Sequence, residues 1–194
     1  MLNGNKIVII LPLLVVAFLF LGGYHYIQQI NTVTNEDLSQ FVDVQPEIDS
    51  TGDNYSATFT WEWQEMPIEG LEGTDYIGFS FLDSEGNVIA EEIDVNGKLE
   101  LLRGDQVIFE STGTIVERGI IFPFPNEVVE HESFGNKGQA VISFSQDISA
   151  SQVVISYLHT WVEHQWQSED PRFIEGMSDT FPHWVIERFV DIPQ

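Results

Sequence analysis

The chain has 194 residues, no cysteine, and a formal charge of −24 from 31 acidic against 7 basic side chains. That composition excludes a disulfide framework, a thiolate metal site and a thioether-linked lipid. It also excludes a basic nucleic-acid footprint, because phosphate binding needs clustered Lys and Arg.

The first element is an apolar run, Ile7 to Gly23, with no charged side chain. Extended to Ile27 as a helix it spans roughly 31 Å, close to the hydrocarbon thickness of a bilayer. Tyr24 and Tyr26 fall at its far end, where amphipathic rings favour the headgroup region. Pro12 lies within the run, a position that membrane helices tolerate better than soluble ones. Lys6 is the cation on the inner flank and every acid lies beyond residue 35, so residues 1–6 are expected in the cytoplasm and the rest outside. A cleaved signal peptide is the rival reading. It would need a small-residue cleavage site, and none follows the run. Residues 7–27 are therefore expected to be a retained signal anchor of a single-pass membrane protein.

Residues 28–54 read as a stalk, polar with isolated apolar positions and ended by Pro46, Ser50 and Gly52. Leu38, Phe41 and Val42 suggest a short helix or a docking contact. Residues 55–194 form the expected domain. Its clearest signal is Tyr55–Gln64, where Tyr55, Ala57, Phe59, Trp61 and Trp63 alternate with polar residues, the period of a strand with one aromatic face. Tyr76–Leu82 and Val88–Ile93 are expected to pair across the turn Asp83–Asn87. Asn96-Gly97 reads as a tight hairpin turn, and Arg103-Gly104-Asp105 as another. Strands are expected at Lys98–Leu102, Gln106–Ser111, Thr114–Phe122, Ala140–Ser145, Val153–Trp161 and His183–Phe189. Between the last two, Val162–Pro182 is a long connection with a short helix expected after Ser168 and Pro171 in its first turn.

Regular strands, Gly and Asn turns and no long amphipathic helix predict an all-β domain. The expected architecture is an antiparallel β-sandwich, immunoglobulin-like in general layout. About 140 residues can bury roughly two thirds of their surface, enough to hold together without disulfides. An exported, acidic, disulfide-free domain points to a bacterial cell surface. Its acidity also suits a saline or alkaline medium, where carboxylates keep their charge.

Three groups of residues carry candidate chemistry. His159, Glu163, His164 and His183, with Glu187, are metal-ligand types, but HExxH is absent and alternation sends His159 and His164 to opposite faces. His159 is in phase with Val153, Ile155 and Tyr157, which predicts a hydrogen-bonded core histidine. The long connection holds His164, Trp166, Glu169, Asp170, Arg172, Glu175 and Asp179, a set that could bind a partner or a hard cation such as calcium. A solvated acidic loop without a bound cofactor is the preferred reading. In Ile120–Pro125, Phe122 and Phe124 stand on a stiff extended segment, either as an adhesive patch or as a cap on the core. Pro123 and Pro125 place this segment at a strand end or a sheet edge.

No nucleophile motif of the G-x-S-x-G type occurs, and with 31 acids a glycosidase-like carboxylate pair has no meaning by itself. The expected function is a membrane-anchored, non-catalytic binding or accessory domain for a protein, wall polymer or cation outside the cell. The alternative is a hydrolase or metal-dependent enzyme built on the His159, Glu163, His164 and His183 region.

Overall fold

The computed structural model describes residues 6–29, 32–90, 93–164, 169–174 and 181–193, with helix side chains over residues 10–24. Two compact units result, Met1–Thr32 and Val33–Gln194.

The first unit contains helix α1, Lys6–Gln29, of 24 residues with Pro12 inside it. The predicted apolar segment is thus helical, one residue earlier and two later than expected. Its side chains from Ile10 to Tyr24 are exposed. Among the described residues no helix is long and apolar enough to cross a membrane.

The second unit is all-β and antiparallel. Its strands are β1 Val42–Thr51, β2 Asn54–Trp63, β3 Thr74–Leu82, β4 Val95–Arg103, β5 Gln106–Ser111 and β6 Thr114–Val116. They continue with β7 Gly119–Pro125, β8 Glu127–Val129, β9 Glu132–Phe134, β10 Lys137–Ser145, β11 Gln152–Thr160 and β12 His183–Asp191. One five-stranded sheet has the order β1-β2-β10-β4-β5, and a second has β12-β11-β3-β7-β6. Strands β8 and β9 form a separate hairpin. Its two-residue turn is Glu130-His131, both at positive φ (50° and 70°), as this turn type requires.

The inner faces of the two sheets share one core. Phe59, Trp61, Ile142 and Phe144 come from the first sheet, and Ile77, Phe79, Phe81, Phe122 and Tyr157 from the second. Rings meet across the gap, Trp61 with Phe124 at 5.1 Å and Phe81 with Phe144 at 5.0 Å. In β2 the aromatic face is buried as its alternation predicts, with Ala57 and Phe59 fully enclosed, while Glu62 is exposed. A second, smaller cluster of Ile121, Leu158 and Phe173 lies on the opposite face of the second sheet.

Several expectations require correction. The stalk reading of residues 28–54 fails beyond Thr32, because Val33 and Leu38 are buried in the core and β1 pairs with β2 along its whole length. Val42, Val44, Pro46 and Ile48 alternate with Asp43, Gln45, Glu47 and Asp49, and the former are the half-buried ones. This edge strand also accommodates Pro46, which a central strand would not. Leu38–Phe41 is a short 3-10 helix.

Val88 makes only an isolated bridge to Leu82 rather than opening a strand, and residues 91–92 lie outside the described set. Asn96-Gly97 is no turn but lies within β4, opposite Ser143 and Ile142. Glycine is needed there for close approach, since a Cβ on Gly97 would sit 2.4 Å from the Val141 carbonyl oxygen. The expected strand Thr114–Phe122 is a hairpin of β6 and β7. Beyond Ile121 the β6 side of β7 is unpaired, so Pro123 and Pro125 lose no ladder bond there.

Candidate functional site

The sheet register gathers a polar cluster at one end of the core. Strand β11 lies between β12 and β3, and every residue from Val153 to Thr160 is buried. His159, in phase with Ile155 and Tyr157, points into the inter-sheet core and is fully enclosed. Asp75, one position before the last β3–β11 pair, meets it there, and its side chain is also fully buried.

Asp75 is heavily engaged. His159 Nδ1–H donates to its Oδ2 at 2.9 Å, and the Tyr157 hydroxyl donates to the same oxygen at 3.1 Å. Its Oδ1 accepts from Asn126 Nδ2 at 3.1 Å and from the Thr160 backbone N–H at 3.2 Å. Trp63 Nε1–H donates to the Tyr157 oxygen at 3.1 Å. Burial, reinforced by the Asp75 charge, holds the Tyr157 hydroxyl well above its ordinary range, so it remains a donor. Around the imidazole, Trp184 lies at 4.7 Å, Trp161 is stacked at 5.6 Å, and Trp63 presents an edge at 5.2 Å.

An aspartate behind a histidine is a general-base arrangement only if the ring reaches a substrate or nucleophile. Here the far ring nitrogen, Nε2, faces Asn35 Oδ1 at 3.2 Å, and Asn35 is itself buried. The pair is enclosed on every side, and its chemistry is to hold chain segments together.

An open cavity of about 670 Å³ lies elsewhere, lined by Leu71, Glu72, Gly73, Thr74, Glu127, Val128, Glu163 and His164. None of the buried cluster lines it. Within it, His164 Nδ1–H donates to the Val162 carbonyl at 3.1 Å, and its Nε2 accepts from the Tyr76 hydroxyl at 3.0 Å. Tyr76 is pushed up to about 12 by burial and by the Asp75 charge, which keeps that hydroxyl protonated. Both nitrogens of His164 are thus engaged within the protein. Among the described residues no group of three or more His, Asp or Glu is placed to hold a metal ion.

The sequence candidates separate in space. His159 is buried with Asp75. His183 lies on β12, its Nδ1–H donating to the Phe181 carbonyl at 2.9 Å. Phe181 stands between the other two histidines, 4.7 Å from His164 and 5.5 Å from His183. Glu187 is committed to Arg172, at 2.8 Å to Nε and 3.2 Å to a terminal nitrogen. Glu163 and His164 reach the cavity. Asp170, which is nearly buried, accepts from the backbone N–H of Arg172 and of Ile174, both at 3.0 Å. It therefore shapes its own loop. No helix forms over the described residues 169–174, where Phe173 has φ 60°. Glu169 is exposed. Trp166, Glu175 and Asp179 lie outside the described residues.

Phe122 and Phe124 are buried in the core, so the adhesive-patch reading is corrected. Their strand turns them inward against Phe79 and Trp61. Sequence reasoning passed over Asp75, Asn126 and Asn35. For Asp75 a signal exists, because it is in phase with Ile77, Phe79 and Phe81, and an acid on a buried face needs partners.

No known protein family matches the chain, and no curated protein matches it. A solved structure described as "AvmM Catalyzes Macrocyclization in Alchivemycin A Biosynthesis" aligns at 9% identity with a TM-score of 0.41. The alignment covers 79% of this chain and 89% of that one. Likeness of that degree assigns neither fold nor activity here.

Proposed function

We propose that this chain is a membrane-tethered, non-catalytic binding module. In this reading residues 7–27 are a retained anchor with residues 1–6 in the cytoplasm. The all-β unit, an antiparallel β-sandwich with immunoglobulin-like layering, stands outside a bacterial cell without a resident cofactor. The apolar run, the single flanking lysine and the confinement of all 31 acids to residues beyond 35 support this topology.

The observation that carries the non-catalytic reading is the enclosure of the Asp75–His159 pair. The histidine chemistry that an enzyme would need is either sealed, as at His159, or dispersed, as at His164 and His183. The open cavity offers Glu72, Glu127 and Glu163 instead, a lining that favours cationic groups of a protein or wall polymer, or a cation itself.

Two measurements test this. Protease added to intact, wall-stripped cells should remove the acidic domain and leave the helix, whereas full protection would overturn the orientation. A mature chain beginning near Tyr24 would overturn the anchor. Titration with a lysine oligomer and with a glutamate oligomer at fixed ionic strength should show binding of the first alone. Glu72→Gln with Glu127→Gln and Glu163→Gln should weaken it. Equal binding by the triple variant would remove the cavity from the recognition surface.

A further inference from the structure

The two large sheets end in four edge strands, and three of these edges are blunted. Strand β1 carries Pro46 and turns Asp43, Glu47 and Asp49 to solvent. Strand β5 pairs with β4 across a register shift at Leu101/Leu102, and β6 has only three residues. Proline, exposed charge, irregular pairing and shortness are devices that keep a sheet from adding a foreign strand. Strand β12 lacks proline and lysine, runs for nine residues, and keeps an unbroken register with β11 from His183 to Asp191.

The outer edge of β12 can be read residue by residue. Thr160 N–H turns to Asp75, on the β3 side of β11, and Ile192 N–H donates to the Ser151 carbonyl at 2.9 Å. Backbone groups alternate between the two edges of a strand, so Trp184, Ile186, Arg188 and Val190 turn theirs to β11. His183, Val185, Glu187, Phe189 and Asp191 turn theirs outward, where they make no backbone–backbone hydrogen bond among the described residues. The Arg188 guanidinium donates to the Glu187 carbonyl at 2.9 Å, but Arg188 is exposed and a carbonyl keeps a second lone pair. On this edge Phe189 has 53% of its surface exposed.

We propose that this edge pairs with the same edge of a second copy of the chain, antiparallel about Glu187, to form a two-fold dimer with one continuous sheet. The strand is complementary to itself in that register. His183 falls opposite Asp191 at both ends, a basic residue against an acidic one. Val185 falls opposite Phe189, and Trp184 opposite Val190, apolar against apolar. Ile186 meets the aliphatic stem of Arg188. The two Glu187 side chains meet at the axis, each already held by Arg172 of its own chain at 2.8 Å. Sliding the pairing to the next register with the same faces, in either direction, sets Val185 against Glu187 or Asp191. A charge of −24 on each copy opposes association, so screening by salt favours it. The inference concerns the β unit alone and is independent of the anchor and of the open cavity.

Sedimentation equilibrium of the full chain in density-matched detergent micelles tests this. The mass should rise from monomer toward dimer as the chain is concentrated to about 100 μM, and further in about 0.5 M than in about 0.05 M salt. Phe189→Pro removes an outward N–H and no ladder bond to β11, and should weaken dimerisation about tenfold or more. Phe189→Val, which keeps that N–H, should weaken it less. The natural chain has no cysteine, so Ile186→Cys and Arg188→Cys chains can be mixed and mildly oxidised. The mixed disulfide should form in preference to either like pair, because the two positions then face each other at about 4.5 Å between Cα atoms. A monomer under all these conditions overturns the inference and leaves the edge to a strand from another protein. A dimer indifferent to Phe189→Pro, or one linked chiefly through like pairs, also overturns it, because another surface would then hold the copies. The disulfide pattern decides the matter should Phe189→Pro not fold.

Discussion

The Nδ1 of His159 lies 2.9 Å from Oδ2 of Asp75, and neither side chain has any solvent exposure. A fully buried polar pair of this kind stabilises only while both partners are present, because removal of one leaves the other buried and unpaired. His159→Ala or Asp75→Ala should therefore each destabilise the domain by about 3–5 kcal/mol. Urea unfolding of the single and double variants checks this. The double variant should cost much less than the sum of the two, and strict additivity would mean that the pair does not act as a unit.

The aromatic face of β2 supplies a second prediction. Phe59→Ala or Trp61→Ala should cost about 3–5 kcal/mol, since each leaves a void in the shared core. Thr58 and Thr60 are half-buried on the other face, and their replacement by alanine should cost no more than about 1 kcal/mol. Comparable losses on both faces in thermal melts would contradict this division.

Gly78 tests how the connection after β11 is held. A Cβ there would lie 1.9 Å from the Pro171 carbonyl oxygen, so backbone must move to admit it. Gly78→Ala should cost about 1–3 kcal/mol and lift residues 169–174 from the sheet. Trypsin cleavage after Arg172, followed by mass spectrometry, should accelerate in the variant. An unchanged rate would show that the loop is held by other contacts, such as the Arg172–Glu187 pair.

Glu100 gives a pH prediction with a definite sign. Hydrogen bonds from Lys98 and from Gln139 hold its carboxyl below the ordinary carboxylate range. A carboxyl depressed in the folded state contributes stability above its unfolded pKa of about 4.3, and that stability is lost as pH falls through the folded value. Glu100→Gln should lower stability at neutral pH and flatten its decline on acidification below about pH 5. Lys98 is largely exposed, so the neutral-pH loss should be modest and smaller still in high salt. An unchanged acid slope would remove Glu100 from the account.

Salt and calcium form the last pair of measurements. Added monovalent salt should raise the melting temperature, because a charge of −24 repels itself within a Debye length of about 8–10 Å. Calcium at equal ionic strength should add little, since Asp170 already accepts two backbone N–H bonds. A large, saturable calcium effect, abolished by Asp170→Asn with Asp179→Asn, would instead make that loop a metal site.

Alternation located β2, because a strand with one buried face writes its period into the chain, and β-rich runs between turn residues located β10 and β11. The apolar run located α1, and Gly104 at φ 58° marks a true turn, as Arg103-Gly104-Asp105 suggests. Legibility ended where a residue type serves two physical ends. Asn-Gly favours a tight turn, yet Gly97 is required inside β4 because the β10 backbone passes too close for a side chain. Strand β1 carries the right alternation, but its apolar residues are sparse because an edge strand is half-buried, so it reads as a stalk. What the sequence by itself determined was the apolar segment, the acidity and the β period, since these are local and additive along the chain. Only the tertiary structure decided the Asn35–His159–Asp75 contacts. Their residues lie 124 and 84 positions apart, and a buried hydrogen bond between them depends on sheet order and register, which no local pattern records.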